Sequence, residues 1–134
     1  MTPIQNAILH RFVEGVKILA PFLSIQLQKS AVRLAIAKGY SEIVEILVSG
    51  MEEPNGPDKR GLTPIHYAIT EGRNNPETLR VLTKEYFDPY NIEPKTGLTA
   101  LQNAVHLGYT EGVKILAPFY DDPNTPGQWF LNVL

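Results

Sequence analysis

The nine residues EGVKILAPF run from Glu14 to Phe22 and occur again, without a single change, from Glu111 to Phe119. Chance does not produce an identity of this length in a chain of 134 residues, so the two segments are copies made by duplication. The copies begin 97 residues apart. This offset is close to three repeat units of about 33 residues each, so we expect further units between them.

Four segments align in register with these copies. Each begins with Thr or Ser, has a hydrophobic residue two positions later and has Ala at the sixth position. The aligned segments are TPIQNAILHRFVEGVKIL from Thr2, SAVRLAIAKGYSEIVEIL from Ser30, TPIHYAITEGRNNPETLRVL from Thr63 and TALQNAVHLGYTEGVKIL from Thr99. Their starts are 28, 33 and 36 residues apart, so the first connection is short and the later ones carry extra loop residues.

Each unit predicts two helices. Thr63 before Pro64 is typical of a helix start, because the hydroxyl caps a free backbone N–H and proline at the first helical position loses no hydrogen bond. We expect the same start at the equivalent residues Thr2, Ser30 and Thr99. The second helix is expected to begin near a glutamate, because a carboxylate favours the positive end of the helix dipole. These glutamates are Glu14, Glu42, Glu77 and Glu111.

Glycine is expected to end the first helix in a left-handed conformation, at Gly39, Gly72 and Gly108. Arg11 occupies this place in the first unit, which makes that turn less favourable. The segments Glu53–Gly61 and Asp88–Gly97 are rich in turn formers and are predicted to project as long turns between units. The first junction, 21–29, is too short for such a turn.

These residues resemble the ankyrin repeat, whose pattern reads roughly G-x-T-P-L-H-x-A-A and then G-H-x-E-I-V-K-L-L. GLTPIHYAITEG, from Gly61 to Gly72, matches the first part best, and YSEIVEIL, from Tyr40 to Leu47, the second. The resemblance covers nearly the whole chain and implies an all-α fold, an ankyrin-repeat solenoid of stacked antiparallel helix pairs joined by hairpin-like turns. We expect one domain over 1–134, with units at 2–29, 30–62, 63–98 and 99–124 and a partial cap at 125–134.

Composition narrows the class of protein. A hydrophobic fraction of 43% with 19% charged residues is ordinary for a folded soluble chain. No apolar run is long enough to span a membrane, and no secretory signal is visible. The absence of cysteine excludes disulfides and thiolate metal sites, and a net charge of −2 speaks against a nucleic-acid partner. We therefore expect an intracellular, cytoplasmic monomer without a membrane or nucleic-acid partner.

No constellation of residues predicts catalysis, a metal or a cofactor. The three histidines lie on different units; His10 and His106 are expected to face solvent. The resemblance gives His66 a structural role, with a hydrogen bond around the turn. The glutamates occur once in each unit. Their position at the helix starts explains why they recur. Asparagines recur in the turns, where side-chain bonds to the local backbone are expected, although the family resemblance also allows hydroxylation by an oxygenase. These are Asn55, Asn91 and Asn124.

The resemblance implies a module that binds another protein and is not an enzyme. Ankyrin domains generally bind through the hairpin tips and the concave face of the first helices. Transferred by position, this surface comprises Ala37, Lys38, Lys59, Arg60, Leu62, Thr70, Glu71, Lys95, Thr96, Leu98, His106 and Leu107. The three leucines are candidates for an apolar contact patch, with packing on neighbouring turns as an equal alternative.

Two other functions stay open from the sequence. The chain could be a regulatory or substrate-recruiting segment of a larger enzyme or channel, because both ends look truncated. It could also be a repeat scaffold without a cognate partner, but the irregular spacing of 28, 33 and 36 residues speaks against that.

Overall fold

A computed structural model describes residues 1–84 and 87–120, and within these ranges the chain is helical without a strand. In this part of the chain, eight α-helices form four consecutive pairs. They are α1 (Pro3–Leu9), α2 (Val13–Leu19), α3 (Ile25–Lys38), α4 (Ser41–Ser49), α5 (Pro64–Thr70), α6 (Glu77–Lys84), α7 (Ala100–His106) and α8 (Thr110–Leu116). Short 3-10 turns follow α2 and α8, at Ala20–Phe22 and Ala117–Phe119. The predicted all-α stack of helix pairs is confirmed.

The helices form two layers. Each odd-numbered helix packs against the helix that follows it, which makes one pair per repeat unit. The odd-numbered helices also stack on one another in chain order, and so do the even-numbered ones. The core between the layers includes the small alanine that recurs at the sixth position of each unit, and all four copies are buried: Ala7, Ala35, Ala68 and Ala104. A side chain of this size allows the two helices of a pair to approach closely.

Side-chain caps begin three of the first helices at the predicted residues. The hydroxyls of Thr2, Thr63 and Thr99 each accept a hydrogen bond from the backbone N–H three residues later. The prediction of a helix start at Ser30 is wrong. Helix α3 begins six residues earlier in the chain, because Ser24 accepts a hydrogen bond from the backbone N–H of Leu27 and caps it there. The predicted unit boundary at 29–30 therefore lies inside a 14-residue helix.

The turns between the two helices of each pair adopt two different backbone conformations. Gly39 and Gly108 have positive φ values of 74° and 67°, as predicted, and Arg11 adopts the same left-handed region at 51°. The prediction for Gly72 is wrong, because its φ is not positive. Space is tight there, since an added Cβ would lie 3.1 Å from the Ala68 carbonyl oxygen and 3.1 Å from Ile36 Cγ2.

Candidate partner-binding surface

The second inter-unit turn forms a tight loop that ends at the start of α5. The backbone N–H of Asp58 donates to the carbonyl oxygen of Leu62 at 2.9 Å. Inside this loop, Asp58 Oδ1 accepts the backbone N–H groups of Arg60 at 2.8 Å and Leu62 at 3.1 Å. These bonds hold the loop in one conformation, and its tip presents the exposed side chains of Lys59 and Arg60.

Tyr67 on α5 ties this loop to the first-helix layer. Its hydroxyl donates to Asp58 Oδ2 at 2.5 Å, and Arg60 Nη2 donates to the same hydroxyl oxygen at 3.3 Å. Burial, reinforced by the hydrogen bond to Asp58, raises the pKa of Tyr67 to about 12. The phenol therefore stays protonated and keeps its donor role at neutral pH.

Arg33 on α3 reaches across to the next unit. Its guanidinium lies 4.7 Å from the centre of the Tyr67 ring, a cation–π distance. Its Nε donates to Glu71 Oε1 at 3.0 Å, and its Nη2 lies 3.5 Å from Glu71 Oε2. The hydrogen bond with Glu71 raises the pKa of Arg33, against a smaller opposing effect of burial. Arg33 thus connects the first helices of the second and third units.

A groove lies between α3 and the loop at Asp58–Leu62. Lys29 and Arg33 are one helical turn apart on its α3 side, and Lys29 Nζ donates to the carbonyl oxygen of Pro57 at 2.6 Å. The groove has a volume of about 190 Å³ and is lined by Gln26, Lys29, Ser30, Arg33, Asp58, Lys59 and Arg60. Four of these side chains are cationic and one is anionic. We call this feature the basic groove.

The third inter-unit turn is built in a similar way. The N–H of Glu93 donates to the Leu98 carbonyl oxygen at 2.7 Å, and Thr96 Oγ1 accepts from Asn103 Nδ2 at 3.1 Å. A Cβ added to Gly61 would lie 4.0 Å from the backbone nitrogen of Lys95. The tips of the two turns are therefore neighbours on the same side of the stack.

The predicted partner-binding residues differ in their surroundings. Lys59 and Arg60 line the basic groove, and Glu71 is bound to Arg33 at its side. Leu62 and Leu98 are half-buried, and Leu62 packs against the core. The others are exposed without lining the groove: Ala37, Lys38, Thr70, Lys95, Thr96, His106 and Leu107. Whether any of these residues binds a partner stays a prediction.

The sequence analysis did not predict the α3 side of the groove, or the tyrosine that binds Asp58 and Arg33. Lys29, Arg33, Asp58 and Tyr67 were not among the predicted site residues. The spacing of Lys29 and Arg33 could have indicated a shared helix face, had the helix not been started at Ser30.

His66 is half-buried but does not form the predicted bond around the turn through Nδ1. This nitrogen is buried without a hydrogen-bond partner, and the ring lies edge-on to Tyr67 at 6.3 Å. His10 and His106 are exposed, as predicted. Among residues 1–84 and 87–120 we find no group of three or more metal-ligating side chains and no helix long and apolar enough to cross a membrane. Asn124 and the predicted cap at 125–134 lie outside the described residues.

Comparison with known proteins identifies the family. Ankyrin repeats in three copies match residues 32–126, and the chain belongs to the ankyrin-repeat family. Protein phosphatase 1 regulatory subunit 12A from Mus musculus and from Rattus norvegicus is 34% identical over 84 residues. The match covers 61% of this chain but 8% of each of those relatives. No solved structure matches the chain significantly.

Proposed function

We propose that the chain is a protein-interaction module that binds its partner through the inter-unit turn tips and the concave face of the first helices. The basic groove is the observation that carries this proposal. It lies where α3 meets the tip at Lys59 and Arg60, so it joins both parts of the proposed surface. The protein-binding role of the ankyrin family supports the same class of function.

The charges of the groove favour an acidic segment of the partner. The chain as a whole carries a net charge of −2, so a groove with four cationic side chains and one carboxylate is a local reversal of sign. Asp58 is already engaged by two backbone N–H groups and by Tyr67. Lys29, Lys59 and Arg60 remain to attract carboxylates, and complementary charge of this kind gives specificity and faster association.

A labelled oligoglutamate peptide tests the groove directly by fluorescence anisotropy. We expect binding that weakens as NaCl is added, because exposed charges are screened. Lys59→Glu should weaken it about tenfold or more, since it replaces an attraction with a repulsion. Lys84→Glu makes the same charge change on the exposed surface of α6 and should leave affinity nearly unchanged. Equal loss in both variants, or tighter binding of a single-stranded oligonucleotide, would contradict an acidic-protein partner.

A second candidate function follows from the relatives. Because they are regulatory subunits of protein phosphatase 1 by name, the chain could belong to a larger regulatory protein and recruit such a phosphatase or its substrate. Co-purification of protein phosphatase 1 with the wild-type chain and with the Lys59→Glu variant distinguishes the two proposed functions. Retention of the phosphatase by both forms would place recruitment outside the groove, and absence of the phosphatase would leave the first proposal.

A further inference from the structure

Glu71 and Arg33 form an ion pair between the third and second units, at the side of the basic groove. Arg33 Nε donates to Glu71 Oε1 at 3.0 Å, and Arg33 is one of the four cationic side chains that line the groove. The side chain of Arg33 is 41% exposed and that of Glu71 is 35% exposed, so water reaches the pair. The carboxylate therefore neutralises one cation of the groove, although Glu71 does not line the groove itself.

The two carboxylates beside these cations differ in how firmly they are held. Asp58 accepts hydrogen bonds from two backbone N–H groups of its own turn and from the Tyr67 hydroxyl. Glu71 has one hydrogen bond of ordinary length, and its second contact, between Oε2 and Arg33 Nη2, is 3.5 Å long. Glu71 can therefore release Arg33 without disturbing the turn, whereas Asp58 is part of the turn's structure.

The place of Glu71 in its unit gives no local reason for a carboxylate. Glu71 directly follows the last residue of α5, and the dipole of a helix disfavours negative charge at this end. The equivalent residues of the other units are His10, Lys38 and Leu107, and none of them is acidic. The carboxylate is thus specific to the third unit, and it binds Arg33 of the neighbouring unit.

We propose that Glu71 is an internal competitor of the acidic partner and gives up Arg33 when a carboxylate of the partner enters the basic groove. This inference rests on the proposed function of the groove. An exposed ion pair contributes at most about fivefold to an equilibrium constant, so a carboxylate of the partner can displace Glu71 at small cost. Glu71 is thus a specificity-determining residue, because every acidic segment must displace its carboxylate in order to use Arg33.

The variant Glu71→Gln separates charge from position. Glutamine keeps an oxygen that can accept from Arg33 Nε, so the guanidinium stays in place while its counter-charge is lost. In fluorescence anisotropy with the labelled oligoglutamate peptide, we expect this variant to bind about three- to fivefold more tightly than the wild type. Its affinity should also fall more steeply with added NaCl, because one more ion pair forms on binding.

Glu111→Gln is the matched control. Glu111 forms a comparable ion pair with Lys114 at 3.4 Å and its side chain is 44% exposed, but it lies on α8 in the fourth unit. The substitution changes the net charge by the same amount and should leave the affinity nearly unchanged. An equal gain in both variants would mean that net charge, and not the release of Arg33, governs binding, and would overturn the proposal.

A double-mutant cycle tests whether Glu71 acts through Arg33. Arg33→Gln should abolish most of the gain that Glu71→Gln gives, because the released cation is then absent. A gain of the same size without Arg33 would mean that Glu71 acts on the peptide directly. Weaker binding by Glu71→Gln alone would mean that the carboxylate positions Arg33 for the partner. Either result overturns the proposal.

Failure of the groove itself gives a different result. If the wild type does not bind the peptide, or if Lys59→Glu binds it as tightly as the wild type, the proposed function and this inference are both wrong. If Lys59→Glu weakens binding but Glu71→Gln does not strengthen it, the groove remains the binding site and only the competition by Glu71 is wrong.

Discussion

Glu93 is a residue of the third inter-unit turn whose buried carboxylate binds the start of α5. Its Oε1 accepts the backbone N–H of Thr63 at 2.8 Å, and its Oε2 accepts the Thr63 hydroxyl at 2.7 Å. The same hydroxyl oxygen accepts the N–H of His66 and caps α5. One carboxylate therefore positions the helix start that lies 30 residues before it in the chain. This contact spans 30 residues, and no local pattern in the sequence points to it.

Removing this carboxylate should destabilise the stack. Glu93→Ala leaves the buried N–H and hydroxyl of Thr63 without their acceptor, and we expect a loss of about 3 kcal/mol from the free energy of unfolding. Urea unfolding followed by circular dichroism measures it. Glu52→Ala removes an exposed loop carboxylate and serves as the control, with an expected change within about 0.5 kcal/mol. Equal stability of the two variants would show that the Glu93 bonds contribute little.

The raised pKa of Tyr67 should make the free energy of unfolding depend on pH in the alkaline range. Burial and the bond to Asp58 raise its pKa from 10.0 to about 12, so the folded state holds the phenolic proton more tightly than the unfolded state. The stabilisation is fully present below pH 10 and is lost as pH rises towards about 12. Tyr67→Phe cannot titrate, so its unfolding midpoint should fall less steeply across that window than that of the wild type. Equal slopes would contradict the shift.

Helix α3 is the element in which sequence and structure differ most. The segment from Ile25 to Lys29 consists mainly of residues with good helix propensity and contains neither Gly nor Pro. The helix therefore extends towards the N-terminus as far as Ser24, whose side chain caps it. The longer helix brings Lys29 opposite the turn at Pro57 and so completes the basic groove. An irregular unit thus forms the most distinctive part of the surface.

Substitutions at Ser24, which caps α3, and at Ser30, which lies within it, distinguish the two possible helix starts. Ser24→Ala removes the side-chain cap and should lower the free energy of unfolding by about 1 kcal/mol. Ser30→Ala lies inside the helix, where alanine has the highest propensity, and should be neutral or stabilise by a few tenths of a kcal/mol. Thermal or urea unfolding measures both. The reverse order of stability would restore Ser30 as the helix start.

The features predicted from the sequence are those set by local or repeated patterns. Periodic alanines, Thr caps and helix-start glutamates gave the four pairs, because each acts within one unit. The helix dipole and the exposed i, i+3 ion pairs explain Glu14, Glu77 and Glu111 without any contact between units. The basic groove was predicted only in part, because the contact between Arg33 and Glu71 joins residues that are 38 positions apart in the sequence. The family resemblance predicted surface positions within each unit, but not which residues of the adjacent unit contact them.

At the scale of the molecule, stability is a sum of units and of contacts between adjacent units. Helix α4 packs against α2 on one side and α6 on the other, whereas α2 has one described even-numbered neighbour, α4. Repeat arrays of this kind behave as one-dimensional chains of coupled units. The first and fourth units, each with one described neighbouring unit, should therefore be easier to open than the second and third.

Val16 and Val44 allow this inference to be tested with one chemical change. They occupy equivalent positions on α2 and α4, and neither side chain is exposed. Truncating either to alanine should cost about 2 kcal/mol in lost burial and cavity formation. In Val44→Ala the loss lies between two neighbours, so native-state hydrogen exchange should accelerate in every helix. In Val16→Ala exchange should accelerate in α1 and α2 but not in α5 and α6.

Identical exchange patterns in the two variants would mean that the four units open only together. The first unit would then be no weaker than the second, although it has one described neighbouring unit and the second has two.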